Sequence, residues 1–559
     1  MSEETEADNR DDLIPRYGTL IIALLAVAAS ITGIRNTFAY DDLAVIVEDT
    51  RFRSFQDIWQ VFTHTYWMPQ YGGSLYRPLT TLGFALQWMA GGGSPLPFHL
   101  VSIVLYAAVS VAVFGFARHL FDDTSALVAA AIFAVHPLHV EAVANAVGQA
   151  ELGAALFVVI AVSQYIKWTR STAISGREIA LLCAMFLCAL MFKEHAIVLP
   201  ALIVAAELSL RRESGQSITQ RVKPLWPVLA SLALTGAAFV VLRTSVIGNI
   251  NGGGQQVSVL GGQPLSIRAL TMTPVLLEWI RLFVWPANLS ADYSPPRIDI
   301  LKSFTATMIP SIALFIASVA IAVRSSKEYP SATFAFAWVA IALLIPSNLI
   351  VITGFVLAER TLFLPSVGVA MLLGAGLVAL AKHASRSMRR GLVYAVSLLI
   401  VAGIVRSSVR NPVWKDDESL FRQTAEDVPN SSKAHEMLGD ILMSQGKREG
   451  IIEMNLGVKL SSATDVSARH FAARRFHRSR LQAAALPLYK EALALDPSNS
   501  QIREEEAYCL AQMGRLDEAV AVANEGLRLN PNDAALLRFL SFASTASANS
   551  ASLVVASNR

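Results

Sequence analysis

Long apolar runs are the feature that most limits what this chain can fold into. A helix that crosses the hydrocarbon core of a bilayer needs about 20 mainly apolar residues. Lipid offers no partner for backbone N–H and C=O groups, and the runs lack the alternation of barrel strands, so each run predicts a helix. The sequence therefore predicts an all-α, polytopic membrane bundle. The cores of eleven runs are Leu20–Ile34, Val101–Ala117, Ala126–Val135, Gly153–Tyr165, Ile179–Phe192, Ala196–Leu210, Val228–Leu242, Ile309–Val323, Phe334–Ile352, Val367–Leu380 and Leu392–Val405.

Charged residues are unevenly distributed along the chain. Asp, Glu, Lys and Arg make up only 16% of it, whereas ordinary soluble domains contain about 25%. The stretch from Ser408 to Arg559 holds 18 of the 46 Lys and Arg residues and 19 of the 43 Asp and Glu residues. A soluble-like tail thus follows an apolar body, which argues against a soluble enzyme and a disordered chain. The net charge of +3 gives no basic surface for nucleic acid, and three cysteines exclude a disulfide framework.

Lys and Arg in short loops predict the orientation of the spans, because such loops face the cytoplasm. A twelfth apolar run, Ala269–Trp285, is less clean than the others. If it does not cross the membrane and the N-terminal tail, residues 1–16, is cytoplasmic, all the basic loops lie on the cytoplasmic side. We therefore predict 11 spans, with this run re-entrant or interfacial and the C-terminal tail outside. Twelve spans would leave the last two basic loops outside. Acidic residues before the first run favour a retained anchor over a cleaved signal. The basic loops are Arg118–His119, Lys167–Arg177, Arg211–Lys223, Arg324–Lys327 and Lys382–Arg390.

The tail carries an internal repeat of 34 residues. Gly439, Ala473 and Ala507 are spaced by 34, and Pro429 and Pro497 by twice that number. This period is that of the tetratricopeptide repeat (TPR), a helix–turn–helix unit. The repeat around Ser461–Arg480 is degenerate, and an unrelated helical bundle is the alternative. We predict an α-solenoid over residues 408–545, whose concave face binds a protein or peptide, and a flexible C-terminus over 546–559.

The first external loop contains two candidate groups of ionisable residues. Asp41 and Asp42 follow the first span directly, where paired carboxylates can deprotonate a hydroxyl or hold a metal beside a phosphate. A solvated helix cap is the alternative. Arg77 begins a short apolar helix, where its guanidinium can bind a phosphate near the headgroups. The alternative for Arg77 is an interfacial cation without a ligand.

The turn after the third run has an unusual density of polar side chains. His136, His139 and Glu141 surround a proline, while Gln149 and Glu151 lie at the start of the fourth run. A His-x-x-His-x-Glu set can bind zinc, although no further ligand spacing follows it. The alternatives are the hydrogen-bonded lining of a substrate cavity and ordinary interface residues.

Three more external turns place ionisable residues beside apolar runs, where such groups are costly and therefore functional candidates. Local ion pairs are the alternative. The chain has no GxGxxG, Walker or GxSxG motif, which gives no support to a nucleotide-driven pump or a serine hydrolase. The candidates in these turns are Lys193, Glu194 and His195, then Asp292 and Tyr293, and finally Glu359 and Arg360.

Several of these motifs together resemble a known family. An acidic pair after the first span is followed by YRPLT, HPLHVEAVANAVGQAEL, FKEHAIVL, AERTLFLPSVG and NPVWKDDESLF, and then by TPRs. In this order they resemble the transmembrane-and-TPR-containing O-mannosyltransferases, which are GT-C glycosyltransferases. The resemblance covers nearly the whole chain. It implies a GT-C membrane domain over residues 17–407 and, among the family's members, a bacterial one.

The resemblance also implies a reaction and residue roles. A sugar would move from a polyprenyl or dolichyl phosphate to a protein hydroxyl on the external face. Asp41 and Asp42 match the motif that supplies the base, and Glu151 matches a second acidic position. Arg77 matches the phosphate-side arginine, and Glu359 with Arg360 the late loop that closes the site. Gln149 and His195 depart from the family pattern, and the first departure puts a donor contact in doubt.

The resulting hypothesis is an inverting membrane glycosyltransferase. Its partners are membrane lipid, a lipid-linked sugar and a protein acceptor bound through the TPRs, but not nucleic acid. Lys193 is grouped with the donor-binding residues, and the polar residues of the external turns line the cavity. A divalent metal, with Asp41 and Asp42 as its ligands, is compatible with the sequence but not required by it. We expect a bacterial inner membrane rather than the endoplasmic reticulum. The rival hypothesis is a membrane-anchored TPR scaffold or chaperone without catalytic activity.

Overall fold

The structure is a computed structural model that describes residues 2–170, 174–211, 217–249, 260–295 and 297–557. Within these ranges every regular element is a helix. The described chain divides into two compact units, Met1–Leu420 and Phe421–Arg559. The first unit therefore extends beyond the predicted end of the membrane domain at residue 407, and the predicted domain limits remain predictions. Parts of the basic loops Lys167–Arg177 and Arg211–Lys223 lie outside the described residues, as do the last residues of the chain.

The first unit consists of fifteen α-helices and several single turns of 3-10 helix within the described ranges. The α-helices are α1 Ser2–Ser30, α2 Pro78–Gly91, α3 Leu96–Arg118, α4 Asp123–Val135, α5 Val140–Ala144, α6 Gln149–Trp168, α7 Gly176–Phe192, α8 Leu199–Leu210, α9 Ile218–Val222, α10 Trp226–Ile247, α11 Leu265–Val284, α12 Ile309–Ser325, α13 Pro330–Ala342, α14 Phe363–His383 and α15 Arg386–Arg410.

All twelve apolar runs overlap with helices, but fewer helices have the length of a span. Among the described residues, seven helices are long and apolar enough to cross a bilayer, or eight if α4 and the bent segment after it form one span. The helices α7, α8 and α13 are shorter, and α11 combines 20 residues with an internal proline. The prediction of 11 spans, and the re-entrant or interfacial placement of α11, therefore remain predictions.

One predicted run does not continue as helix. The core Phe334–Ile352 was expected to be helical throughout, but α13 ends at Ala342. Pro346 lacks an N–H group, and Asn348 adopts a left-handed conformation with φ 55°. The Asn348 side chain then accepts hydrogen bonds from the backbone N–H and the hydroxyl of Thr353, both at 2.8 Å. A local polar turn thus replaces the last part of the predicted helix.

The helices of the first unit pack around one apolar core. This core combines buried side chains of α1, α3, α4, α6, α7, α8, α13 and α14. Small residues permit close approach: a Cβ added at Gly374 of α14 would lie 2.5 Å from the backbone nitrogen of Ala129 in α4. At one end of this pair Lys382 binds Asp122 at 3.0 Å. The predicted site residues near His136 and Arg360 lie at the opposite end of the same two helices.

The tail is a series of antiparallel helix pairs with its own core. The equivalent residues Gly439, Ala473 and Ala507 lie buried where the helices meet. The degenerate repeat also forms a helix pair, α19 with α20. The helices are α16 Asp417–Asp427, which crosses the division between the units, α17 Ser432–Ser444, α18 Glu449–Leu460, α19 Val466–Arg478, α20 Gln482–Leu495, α21 Ser500–Gln512, α22 Leu516–Leu529 and α23 Ala534–Ser557.

Candidate functional site

The two carboxylates of the acidic pair have different surroundings. Asp42 is buried, with 1% of its surface exposed. Its oxygens accept hydrogen bonds from the backbone N–H groups of Val147 at 2.8 Å and Ala146 at 3.2 Å. Burial raises the pKa of Asp42 to about 7, although these N–H groups act in the opposite direction. Asp42 therefore ties the first loop to the turn before α6, and it is Asp41 that remains partly exposed.

Arg360 joins two carboxylates from distant parts of the chain. Its Nη2 lies 3.3 Å from Oδ2 of Asp41, and its Nη1 donates to Oε1 of Glu141 at 3.0 Å. The backbone N–H of Arg360 donates to the other oxygen of Glu141 at 2.9 Å. The side chain of Asp41 is 21% exposed and that of Glu141 only 4%. Glu141 thus anchors the arginine, while Asp41 can be reached by a substrate.

Glu151 lies at the first turn of α6 and meets the turn between α7 and α8. Lys193 forms an ion pair with Glu151, and Nδ1 of His195 lies 3.4 Å from the other carboxylate oxygen. Burial lowers the pKa of His195 to about 4, so the imidazole is neutral at pH 7. The positive charge beside Glu151 therefore comes from Lys193.

A third ion pair links the start of α2 to the same turn. Arg77 donates to Oε2 of Glu194 through Nε at 3.1 Å and through Nη2 at 3.0 Å. Its guanidinium carbon also lies 5.0 Å from the ring centre of Tyr66. Burial acts to lower the pKa of Arg77, but the combined effects of Glu194, Tyr66 and Glu151 outweigh it, so this pKa is raised. Together these ion pairs join side chains from the first external loop and from three of the predicted turns.

The remaining predicted residues bind to separate partners. Nε2 of His136 lies 2.9 Å from the carbonyl oxygen of Phe283. The His139 ring bridges Tyr106 and Ser366. In the described ranges no group of three His, Cys, Asp or Glu side chains lies close enough to hold a metal ion. The zinc alternative for the histidine turn, and a metal between Asp41 and Asp42, therefore have no geometric support in the described structure.

Four other candidates, Glu359, Tyr293, Asp292 and Gln149, form hydrogen bonds outside the ion pairs. Glu359 accepts hydrogen bonds from the Tyr293 hydroxyl at 2.7 Å and the Ser290 N–H at 2.6 Å. Asp292 accepts from the backbone N–H and hydroxyl of Ser294. Gln149 exchanges two amide hydrogen bonds with Gln87 and so lies away from the ion pairs. The contacts of Glu359 join the turn that carries Arg360 to the segment after α11, and those of Gln149 join α6 to α2.

Some buried polar atoms near the ion pairs have no hydrogen-bond partner among the described residues. They are the hydroxyl oxygen of Tyr66, Oε1 of Glu194, Nε2 of His195 and the side-chain amide of Asn145. A buried polar group without a partner is costly and calls for a ligand, water or ion. Sequence reasoning missed Tyr66 and Asn145. Asn145 lies inside the motif HPLHVEAVANAVGQAEL, whereas Tyr66 lies in the part of the first external loop between Asp42 and Arg77, where no pattern marked it.

The fold and the site define a polytopic membrane protein with a buried, charged site at the helix ends and a separate repeat array. A tetratricopeptide repeat model matches residues 482–541. Human protein O-mannosyl-transferase TMTC4 is 26% identical over 491 residues, which cover 79% of this chain and 66% of the human protein. Mouse protein O-mannosyl-transferase TMTC3 is also 26% identical, over 92% of this chain and 60% of the mouse protein. Over most of its length the chain is thus similar to protein O-mannosyl-transferases, and its tail matches a TPR model, which confirms the resemblance seen in the motifs.

The chain spans two thirds or less of the length of the curated relatives it matches. Among solved structures, the archaeal oligosaccharyltransferase AglB from Archaeoglobus fulgidus, in complex with an inhibitory peptide and a dolichol-phosphate, is 13% identical. The match covers 80% of this chain and 59% of that one, with a TM-score of 0.41. This likeness is too distant to assign a ligand or a residue role.

Proposed function

We propose that this protein is a GT-C glycosyltransferase that moves a mannose-like sugar from a polyprenyl or dolichyl phosphate to a Ser or Thr hydroxyl of a protein. The observation that carries the proposal is the pairing of a partly exposed carboxylate, Asp41, with a partly exposed cation, Arg360. Arg77 and Lys193 add two further cations beside polar atoms that lack protein partners. The names of the relatives support transfer of mannose.

The proposed reaction is a single displacement. Asp41 takes the proton of the acceptor hydroxyl as its oxygen attacks the anomeric carbon of the sugar. The bond between that carbon and the carrier phosphate oxygen breaks, and the lipid phosphate leaves with the electron pair. Arg360 and Arg77 stabilise the charge that develops on the phosphate. Because no covalent sugar–enzyme intermediate forms, the configuration at the anomeric carbon inverts. The scheme needs no metal ion, although Asp41 would be available to one.

The role of Glu151 follows from its neighbours. Its ion pair with Lys193 places a positive charge near the candidate donor site. His195, which is neutral, offers an unpartnered Nε2 to a sugar hydroxyl. We therefore assign Glu151 to the orientation of Lys193 and His195 rather than to proton removal.

The experiment is sugar transfer by the purified full chain in detergent. The probes are a radiolabelled polyprenyl-phosphate mannose as donor and a Ser/Thr peptide as acceptor. We expect labelled peptide with the native protein and a loss of label with Arg77→Gln. A control, Asp57→Asn, changes a carboxylate of the same loop that, among the described residues, bonds only to Ser54 and Gln60, and should retain transfer. A nucleotide-linked mannose is tested as a second donor. Transfer from the nucleotide sugar but not from the lipid-linked sugar would contradict the proposal. Transfer from neither donor would also contradict it and would favour the scaffold hypothesis.

We also propose that the membrane region has 11 spans, lies in a bacterial inner membrane and places the TPR tail outside. The candidate site lies at one end of α4 and α14, and the contact between Lys382 and Asp122 at the other, which fits a cytoplasmic basic end. Reporter fusions at Ala384 and at Asn430 test the placement. We expect the reporters on opposite sides, the second one external. A cytoplasmic reporter at Asn430 would refute this topology.

A further inference from the structure

The segment that follows α15 lies against the loop that carries Asp41. The backbone N–H of Thr37 donates to the carbonyl oxygen of Lys415 at 2.8 Å, and the Thr37 hydroxyl donates to the same oxygen at 2.6 Å. The backbone N–H of Tyr40 donates to Oδ1 of Asp417 at 2.5 Å. All these residues belong to the first unit. More than 370 residues of chain separate the partners in sequence.

Tyr40 has a conformation that needs support from its surroundings. Its φ is 57°, in the left-handed region that bulky residues avoid. A residue of this kind remains there only where neighbouring groups impose the conformation. The Asp417 carboxylate supplies such a constraint through a charge-assisted hydrogen bond to the Tyr40 N–H. Tyr40 also begins the turn that follows, because its carbonyl oxygen accepts from the N–H of Leu43 at 3.2 Å.

The direction of Asp41 depends on this turn. Asp41 follows Tyr40 directly, so a change of the Tyr40 backbone would move the carboxylate that lies 3.3 Å from Arg360. We infer that Asp417 is a positioning residue: it holds Tyr40 in its left-handed conformation and thereby sets the Asp41 carboxylate for proton removal. The inference rests on the proposed function for the role of Asp41. Asp417 acts through its hydrogen bond to the Tyr40 backbone and not through a contact with the acceptor hydroxyl or the donor sugar.

The neighbouring carboxylate provides a matched control. Asp416 accepts from the backbone N–H of Ser419 at 2.8 Å and so caps the start of α16. Asn is a comparable cap residue, so Asp416→Asn removes the same charge one position away without loss of the cap. Burial raises the pKa of Asp417, consistent with a carboxylate that faces the first loop rather than solvent.

The activity test compares Asp417→Ala, Asp417→Asn and Asp416→Asn in the full chain. We expect Asp417→Ala to lower kcat at least ~10-fold, the scale of a misplaced catalytic group, with donor Kd and acceptor KM within about twofold. Asp417→Asn retains a neutral acceptor and should lose less. Asp416→Asn should match the native protein. An unchanged kcat in Asp417→Ala, or an equal loss in Asp416→Asn, would overturn the inference.

A second variant tests the backbone explanation directly. Glycine adopts positive φ without steric cost. The factor by which Asp417→Ala lowers kcat should therefore be smaller in a protein that also carries Tyr40→Gly. If Asp417→Ala lowers kcat by the same factor with Tyr40 and with Gly at position 40, the assigned role of Tyr40 is contradicted.

Hydrogen exchange gives a readout that does not depend on catalysis. Amides of residues 36–47 should exchange faster in Asp417→Ala than in the native protein, and at the native rate in Asp416→Asn. Equal exchange in all three would refute the inference. If the native protein shows no transfer, the proposed function fails while this measurement still decides whether Asp417 holds the loop.

Discussion

Asp41 and Asp42 are adjacent in the chain but differ in what they can do. Asp42 is committed to two backbone N–H groups of the turn before α6, whereas Asp41 is partly exposed beside Arg360. Two carboxylates that looked equivalent in the sequence therefore differ in burial and in partners, and under the proposed function only Asp41 takes part in the reaction.

The two aspartates can be separated by substitution. Asp41→Asn should lower transfer by at least ~10²-fold, the usual loss for a general base, with an unchanged melting temperature. In Asp42→Asn the amide NH2 faces backbone N–H donors, so we expect a loss of stability of about 1–3 kcal/mol together with lower activity. Transfer assays and thermal unfolding of the two variants check this. Full activity in both single variants and in the double variant would make the pair a helix cap only.

At the scale of single elements, three turns of the repeat array have the same backbone geometry, although one of them has arginine where the other two have glycine. Gly446, Arg480 and Gly514 are spaced by 34, and their φ angles are 73°, 61° and 75°. In each turn the next N–H donates to a carbonyl five residues earlier, as in Leu481 to Phe476 at 2.8 Å. The packing of the helix pair thus imposes on Arg480 a conformation that suits glycine.

This comparison predicts a stabilising substitution. Arg480→Gly should raise the free energy of unfolding of the tail by up to ~1 kcal/mol, because glycine removes the steric cost of a left-handed residue. Gly446→Arg is the matched reverse change and should lower it. Denaturant unfolding of the full chain in detergent, followed on the tail, measures both. A destabilised Arg480→Gly variant would show that contacts of the arginine side chain outweigh its backbone strain.

Helix α17 predicts a pH dependence of the tail. Glu436 packs against Gly457 of α18, and burial raises its pKa from an ordinary 4.5 to about 7. The folded state then keeps the proton in a range where the unfolded state has lost it, so stability falls as pH rises from about 4.5 to about 7.

Glu436→Gln should remove this pH dependence, because glutamine is neutral at all these pH values and can still accept from Ser432. The stability gained over the native protein should therefore grow up to about pH 7 and then level off. The measurement is unfolding at several pH values, with Glu504→Gln on α21 as the control. A gain that is independent of pH would show that Glu436 is already ionised in the fold.

At the scale of the whole molecule, the tail and the end of the first unit have separable roles. A stop after Asn430 removes α17–α23 and keeps the contacts of Lys415 and Asp417 with the first loop. We expect donor binding and transfer to a short peptide to persist, while transfer to a protein acceptor falls at least ~10-fold, because the tail raises the local acceptor concentration. Equal losses for both acceptors would contradict this role.

A second truncated protein, with a stop after Trp414, is compared with the protein that ends at Asn430. It also lacks the residues that bind the backbone of Thr37 and Tyr40. Transfer to the short peptide should then fall as well, although the predicted catalytic residues are all present. The two truncations, assayed side by side with donor binding as the reference, distinguish acceptor capture from support of the site.

The sequence alone determined the features that depend on local pattern. Apolar length and the 34-residue period are set by neighbouring residues, so the twelve runs and the helix pairs were found where they were predicted. The motifs also selected all the side chains that form the ion pairs of the site. The continued helix through Phe334–Ile352 was wrong, because a single proline and the side chain of Asn348 outweighed the apolar pattern.

Only the tertiary structure decided how the selected residues are used. Arg360 meets Glu141 across 219 positions of sequence, and Tyr40 meets Asp417 across 377. A spacing pattern reports which residues share a helix face or a turn, but it contains no distance between elements. Which of the two adjacent carboxylates is buried depends on a distant turn, because the backbone N–H groups of Ala146 and Val147 bind Asp42 and not Asp41. The physical reason is that a helix is stabilised by hydrogen bonds between residues close in sequence, so a local pattern predicts it. The positions of the charged side chains depend instead on how helix ends from distant parts of the chain pack together.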